Sequence, residues 1–74
     1  MDKTYIILDN GESFLVDSYK KLTKSKYKLY GKFDDGTTGY VLVSFPVWTL
    51  SHKRYSFEKL LDTRYIVLEV HRDA

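Results

Sequence analysis

Tyr5-Ile6-Ile7-Leu8-Asp9-Asn10-Gly11-Glu12-Ser13-Phe14-Leu15-Val16 decides the fold class of this chain. Two runs of β-forming residues flank an Asn-Gly pair, the strongest short-range hairpin signal. A two-residue type I′ turn needs positive φ at both central residues, which Asn and Gly tolerate. Such a turn sets Asp9 against Glu12, Ile7 against Phe14 and Tyr5 against Val16. A second hairpin is expected from Lys26 to Phe45. Tyr27, Leu29, Gly31 and Phe33 alternate with Lys28, Tyr30 and Lys32, the period of a half-buried strand with one basic face. Asp34-Asp35-Gly36 supplies the turn, and Gly39–Phe45 returns. Pro46 cannot donate to a ladder and should end it.

The segments outward of these hairpins are shorter. Lys20–Ser25 reads as a polar connection between them. Beyond Trp48, Ser51 or Ser56 can cap a short helix, with Phe57, Leu60 and Leu61 on one helical face. So short a helix must pack on the sheet to persist. Arg64–Val70 reads as a fifth strand, with Ile66, Leu68 and Val70 on one side and Tyr65, Val67 and Glu69 on the other. Residues 1–74 are expected to form a single β-rich domain. Its fold is mostly β, a small five-stranded antiparallel bent sheet or an SH3-like, partly open barrel. One short helix or 3₁₀ turn precedes the last strand. The likeness to SH3-like barrels lies in element order alone. No SH3 ligand-groove motif accompanies it, so it implies no SH3 function.

Composition narrows the function classes. The chain has 74 residues, 43% hydrophobic and 16% aromatic, with no Cys. A domain near this size buries only about 60% of its unfolded surface. With disulfides and Cys-based zinc excluded, seven Tyr, four Phe and one Trp must supply the burial. No apolar run approaches the ~20 residues of a membrane-spanning helix, and no export signal is expected. The expected location is therefore cytoplasmic, with no membrane partner. Net charge is +2, but residues 20–32 carry +6 while residues 1–19 carry −3. Such segregation suits steering onto a complementary partner and excludes a strongly acidic mimic of DNA.

Catalytic patterns are weak. Gly36 and Gly39 lie between strands, which is turn chemistry and not a phosphate loop. Ser51-His52 adjoin Lys53 and Arg54, whose positive field makes His52 a poor base. His71 falls in a charged tail after the last strand. Asp34-Asp35 sit in a tight turn and should point into water. No metal, cofactor or catalytic residue is expected, and so small a chain leaves little room for a pocket.

Two surfaces remain. Lys20, Lys21, Lys24, Lys26, Lys28 and Lys32 form a basic stretch, with Tyr30 on the face of Lys26, Lys28 and Lys32. Lysines neutralise phosphates and a sheet-borne Tyr stacks a base. The plainer readings are a solvated face and a guard on a strand edge. The second surface is an aromatic patch of Phe45, Trp48, Arg54 and Tyr55, residue types that dominate interface hot spots. Its plainer reading is a plug for one end of a barrel. The expected function is a non-enzymatic binding module that docks on a larger protein as an adaptor or inhibitor. A partner in nucleic-acid metabolism or host defence, or a role in a mobile element, would suit such a module. The alternative is a small nucleic-acid-binding barrel using the Lys/Tyr face. The third option is a structural or assembly protein that adds a strand to a neighbour's sheet edge, for instance as a homodimer through that edge.

Overall fold

The computed structural model describes residues 4–45, 61 and 64–73. Five antiparallel strands follow one another in chain order: β1 (Thr4–Ile7), β2 (Ser13–Lys21), β3 (Lys26–Phe33), β4 (Thr38–Ser44) and β5 (Ile66–Arg72). Each pairs with its neighbour in the sequence, and the sheet curls into a half-barrel. The fold is mostly β, as the alternating patterns require. The expected helix over Ser51–Leu61 lies outside the described residues except for Leu61, which is helical and packs on the core.

The first hairpin has a different register from the one its Asn-Gly pair implies. Ile6 faces Phe14, Tyr5 faces Leu15 and Thr4 faces Val16. The Gly11 amide donates to the Leu8 carbonyl at 2.9 Å, and the Leu8 amide to the Glu12 carbonyl at 2.8 Å. The loop is thus Asp9-Asn10-Gly11, a tight turn closed by Gly11 at φ 90°. Asp34-Asp35-Gly36 repeats it, with Gly36 at φ 90° and Phe33 paired to Thr37 at 2.8 Å. A side chain braces each turn: Asn10 Oδ1 accepts the Glu12 amide at 2.8 Å, and Asp35 Oδ1 the Thr37 amide at 3.0 Å. A one-residue slip exchanges the faces of a strand. The observed register buries Ile6, Leu8, Phe14 and Val16 together and leaves Tyr5 and Ile7 exposed. The two-residue register would instead have put Ile7 on Phe14's face.

β2 runs longer than expected and takes in Lys20 and Lys21, so the connection shrinks to residues 22–25. A bulge between Val16 and Ser18 resets its alternation. β5 is shifted to Ile66–Arg72 and also carries a bulge. Val67 and Val70 stand opposite buried Val43 and Val41, so Ile66, Leu68 and Val70 do not share one side.

The concave face holds the core: Ile6, Leu8, Phe14, Val16, Tyr27, Leu29, Phe33, Val41, Val43 and Phe45, with Leu61, Tyr65 and Val67 against it. Phe14 meets Phe33 edge-on at 4.8 Å, and Tyr27 meets Phe45 edge-on at 5.3 Å. Gly31 faces Gly39 across β3 and β4. A Cβ on Gly31 would stand 1.8 Å from the Leu15 carbonyl oxygen, and one on Gly39 2.1 Å from that of His71. Gly39 is therefore a strand residue that admits a neighbouring backbone, not a turn residue. Two side chains tie β5 to the first hairpin. The Tyr65 hydroxyl accepts the Ile7 amide at 3.1 Å and donates to the Ile7 carbonyl at 3.3 Å. Arg72 donates to Glu12 at 2.7 Å, and to Asp35 at 2.9 Å.

Candidate functional site: the convex sheet face

Strand pairing sorts the convex face into rows across the sheet. Nearest the two hairpin turns runs Tyr5–Leu15–Lys32–Thr38. Next come Ser18–Tyr30–Tyr40–His71, then Lys20–Lys28–Leu42–Glu69, then Lys26–Ser44–Ile66. Lys26, Lys28, Tyr30 and Lys32 share this face because a strand alternates with period two. Lys20 joins them only through the β2 bulge, which places it directly opposite Lys28. The same bulge turns Lys21 to the other face, opposite Tyr27. Lys24 lies in the loop at the basic end. The structure thus gathers Lys20, Lys26, Lys28, Tyr30 and Lys32, and leaves Lys21 out.

Aromatic rings occupy the middle row. Tyr30 and Tyr40 lie 6.4 Å apart, and Tyr40 stacks on His71 at 4.5 Å and 18°. The half-buried Lys28 holds its ammonium 4.1 Å from the Tyr40 ring centroid and 5.4 Å from that of Tyr30. Ring quadrupoles attract the cation there. His71 does not lie in a tail after the last strand. It sits within β5, with Nε2 2.8 Å from Glu69 Oε1. The sequence marks neither Tyr40 nor His71 as part of a binding face. A three-residue Asp34-Asp35-Gly36 loop would have disclosed Tyr40, since it sets Tyr30 against Tyr40.

Acids collect at the turn end. Asp35 does not simply face water: its carboxylate accepts from Thr37 Oγ1 at 2.6 Å and from Arg72 at 2.9 Å. The Arg72 guanidinium also lies 3.9 Å from the Phe33 ring centroid. Hydrogen bonding from Arg72 holds the Glu12 carboxyl below its ordinary pKa. The Thr37 hydroxyl, then its amide, lower Asp35. Asp34 moves up, because hydrogen bonding to the neighbouring Glu12 carboxylate favours its protonated form. Among the described residues no three His, Asp or Glu side chains converge as a metal site would require.

A groove of about 420 Å³ opens at this end, lined by Tyr5, Ser13, Leu15, Lys32, Phe33 and Asp34. Its volume matches the ~300–1,000 Å³ of ordinary ligand sites, but the groove is open to solvent and not enclosed, as so small a chain leads one to expect. It is a surface trough bounded by Tyr5, Leu15 and Lys32 of one row.

Of the expected aromatic patch, only Phe45 lies among the described residues. Phe45 is 1% exposed and packs on Tyr27 in the core, so it offers nothing to a partner. Trp48, Arg54 and Tyr55 lie outside the described residues, as do Pro46, Ser51 and His52. Among the described residues, no helix is long and apolar enough to cross a membrane. Comparison with protein-family models, with curated proteins and with solved structures finds no match to this chain.

Proposed function

We propose that this chain is a non-enzymatic binding module. It docks its convex sheet face on an acidic surface of a larger protein, as an adaptor or inhibitor. One observation carries the reading: Lys20 stands directly across from Lys28, with Lys26 and Lys32 on the same face. Like charges directly opposite destabilise a sheet. Neither lysine builds the core, which lies on the concave side. An array that stability alone disfavours is accounted for by an anionic partner. Two titratable pairs lie nearby, His71 with Glu69 and Glu12 with Arg72.

Single-stranded nucleic acid is the second reading, favoured by the row of Tyr30, Tyr40 and His71 rings. Two features weigh against it. Lys28 covers Tyr40 on this face, and His71 stacks on the same ring. Arg, preferred for stacked and bidentate phosphate contacts, is absent from rows built on Lys.

The test uses the variant Lys20→Glu/Lys26→Glu/Lys32→Glu, three exposed lysines, with Lys28 left over its ring. Partners captured from lysate by the wild-type protein are identified, purified and titrated against both proteins. The variant is expected to keep its fold and lose at least about tenfold in affinity. Equal affinity removes this face as the docking site. Labelled oligonucleotides are titrated in parallel at about 50 and 200 mM salt. Tight binding that collapses at the higher salt would put the nucleic-acid reading first.

A further inference from the structure

We infer that the groove between Tyr5, Leu15 and Lys32 is an anchor pocket, which takes one apolar side chain of an acidic peptide segment of the partner. This rests on the docking reading and adds what the partner presents. Three observations support it. The groove has the volume for a Leu or Phe side chain, and two of its walls are the exposed Tyr5 and half-buried Leu15. Its third wall is Lys32, one row from Tyr30 and two from the Lys20–Lys28 pair. Asp34 lines the groove beside Lys32, and Asp35 and Glu12 beyond it are both paired with Arg72. The lysines of this face therefore run toward the β2–β3 loop, while the groove end sets Asp34 beside Lys32.

That polarity restricts the ligand. A carboxylate beside the anchor meets Lys32. Further carboxylates are favoured toward Lys28 and Lys20, and Asp34 disfavours them at the turn end. Lys28 lies four residues from Lys32, about 13 Å along an extended strand. An extended ligand with the same rise meets it about four residues from Lys32. The ligand is thus an extended segment with an apolar residue at one end and acids at alternate positions to one side. Burying a single anchor side chain within a polar surround is how interface hot spots are usually built.

The probe is a labelled ten-residue peptide with Leu at one end and Glu at alternate positions, compared with versions carrying Ala for Leu and Lys for Glu. Anisotropy should show the Leu/Glu peptide binding at least about tenfold more tightly than either. Amide shifts in a ¹⁵N spectrum should centre on Tyr5, Leu15 and Lys32. Tyr5→Ala should abolish the advantage of Leu over Ala while leaving the weaker attraction of the Glu-bearing peptide. Leu15→Ala checks the same wall, and Tyr5 decides if that variant fails to fold. Equal binding of the Leu and Ala peptides, or shifts confined to the lysines, overturns the pocket. A dimer in sedimentation that Tyr5→Ala dissolves also overturns it, by making a second copy the occupant. If the lysine variant loses the purified partner but Tyr5→Ala does not, the pocket falls and the docking reading stands. If neither loses it, the docking reading itself falls.

Discussion

Gly31 shows how much of this fold rests on an absent side chain. Its Cα faces the β2 backbone so closely that a Cβ would lie 1.8 Å from one carbonyl oxygen and 3.2 Å from the Asp17 nitrogen. Both neighbours are backbone, so no rotamer change relieves the clash. Gly31→Ala should lower stability by about 1–3 kcal/mol, the range for overpacked sites. Urea denaturation followed by circular dichroism would show it, and an unchanged midpoint would mean that the sheet relaxes freely there. The alternation of residues 26–33 made Gly31 legible as a concave-face position. The nearness of β2 was not legible, because it depends on a bulge in another strand. Phe45 was misplaced for a related reason. Hydrophobicity marks it equally for a core or for an interface, and only the curl over Tyr27 assigns it to the core.

At the scale of elements, the first hairpin is instructive. Its Asn-Gly pair fits a two-residue or a three-residue loop, and the two differ by one step of register. Packing chooses, because only the longer loop sets Ile6 and Leu8 on the face of Phe14 and Val16. In the observed turn the left-handed residue is Gly11, with nothing near its would-be Cβ. Gly11→Ala should therefore cost roughly 1–2 kcal/mol, the left-handed backbone penalty alone. It should do so without moving the Ile6–Phe14 contact, which nuclear Overhauser effects would report. A loss of that contact would mean that Gly11 also sets the register. The bulges in β2 and β5 had no sequence signal. Each places one residue more than its partner strand can pair, a mismatch visible only once two strands lie together.

Across the whole molecule, Arg72 ties the end of β5 to both hairpin turns, through Glu12 and through Asp35 and Thr37. The folded pKa values of Glu12 and Asp35 are lowered, so their contribution is present above the unfolded carboxylate range and is lost as pH falls through the folded values. Asp34 is raised and works in the opposite sense: its contribution is full in acid and is lost as pH rises through its folded value. Arg72 is the leading cause at Glu12, whereas the Thr37 hydroxyl leads at Asp35 and Arg72 adds its charge there. Arg72→Gln should thus be less stable than wild type at pH 7, with the gap narrowing below about pH 4 and in high salt. Urea midpoints at the two pH values test this, and a gap independent of pH would leave Arg72 acting only by packing on Phe33. The class of fold, the alternating face of β3, the two Gly-closed turns and the clustering of lysines are all legible in the residues alone. Each of these follows from local backbone preference and period-two geometry. The tertiary structure alone decided the register, the bulges, the Lys20–Lys28 opposition, the rings of Tyr40 and His71, and the groove at Tyr5 and Leu15. All of these are relations between strands distant in the chain, and they are set by how a small sheet must curl to bury its aromatic core.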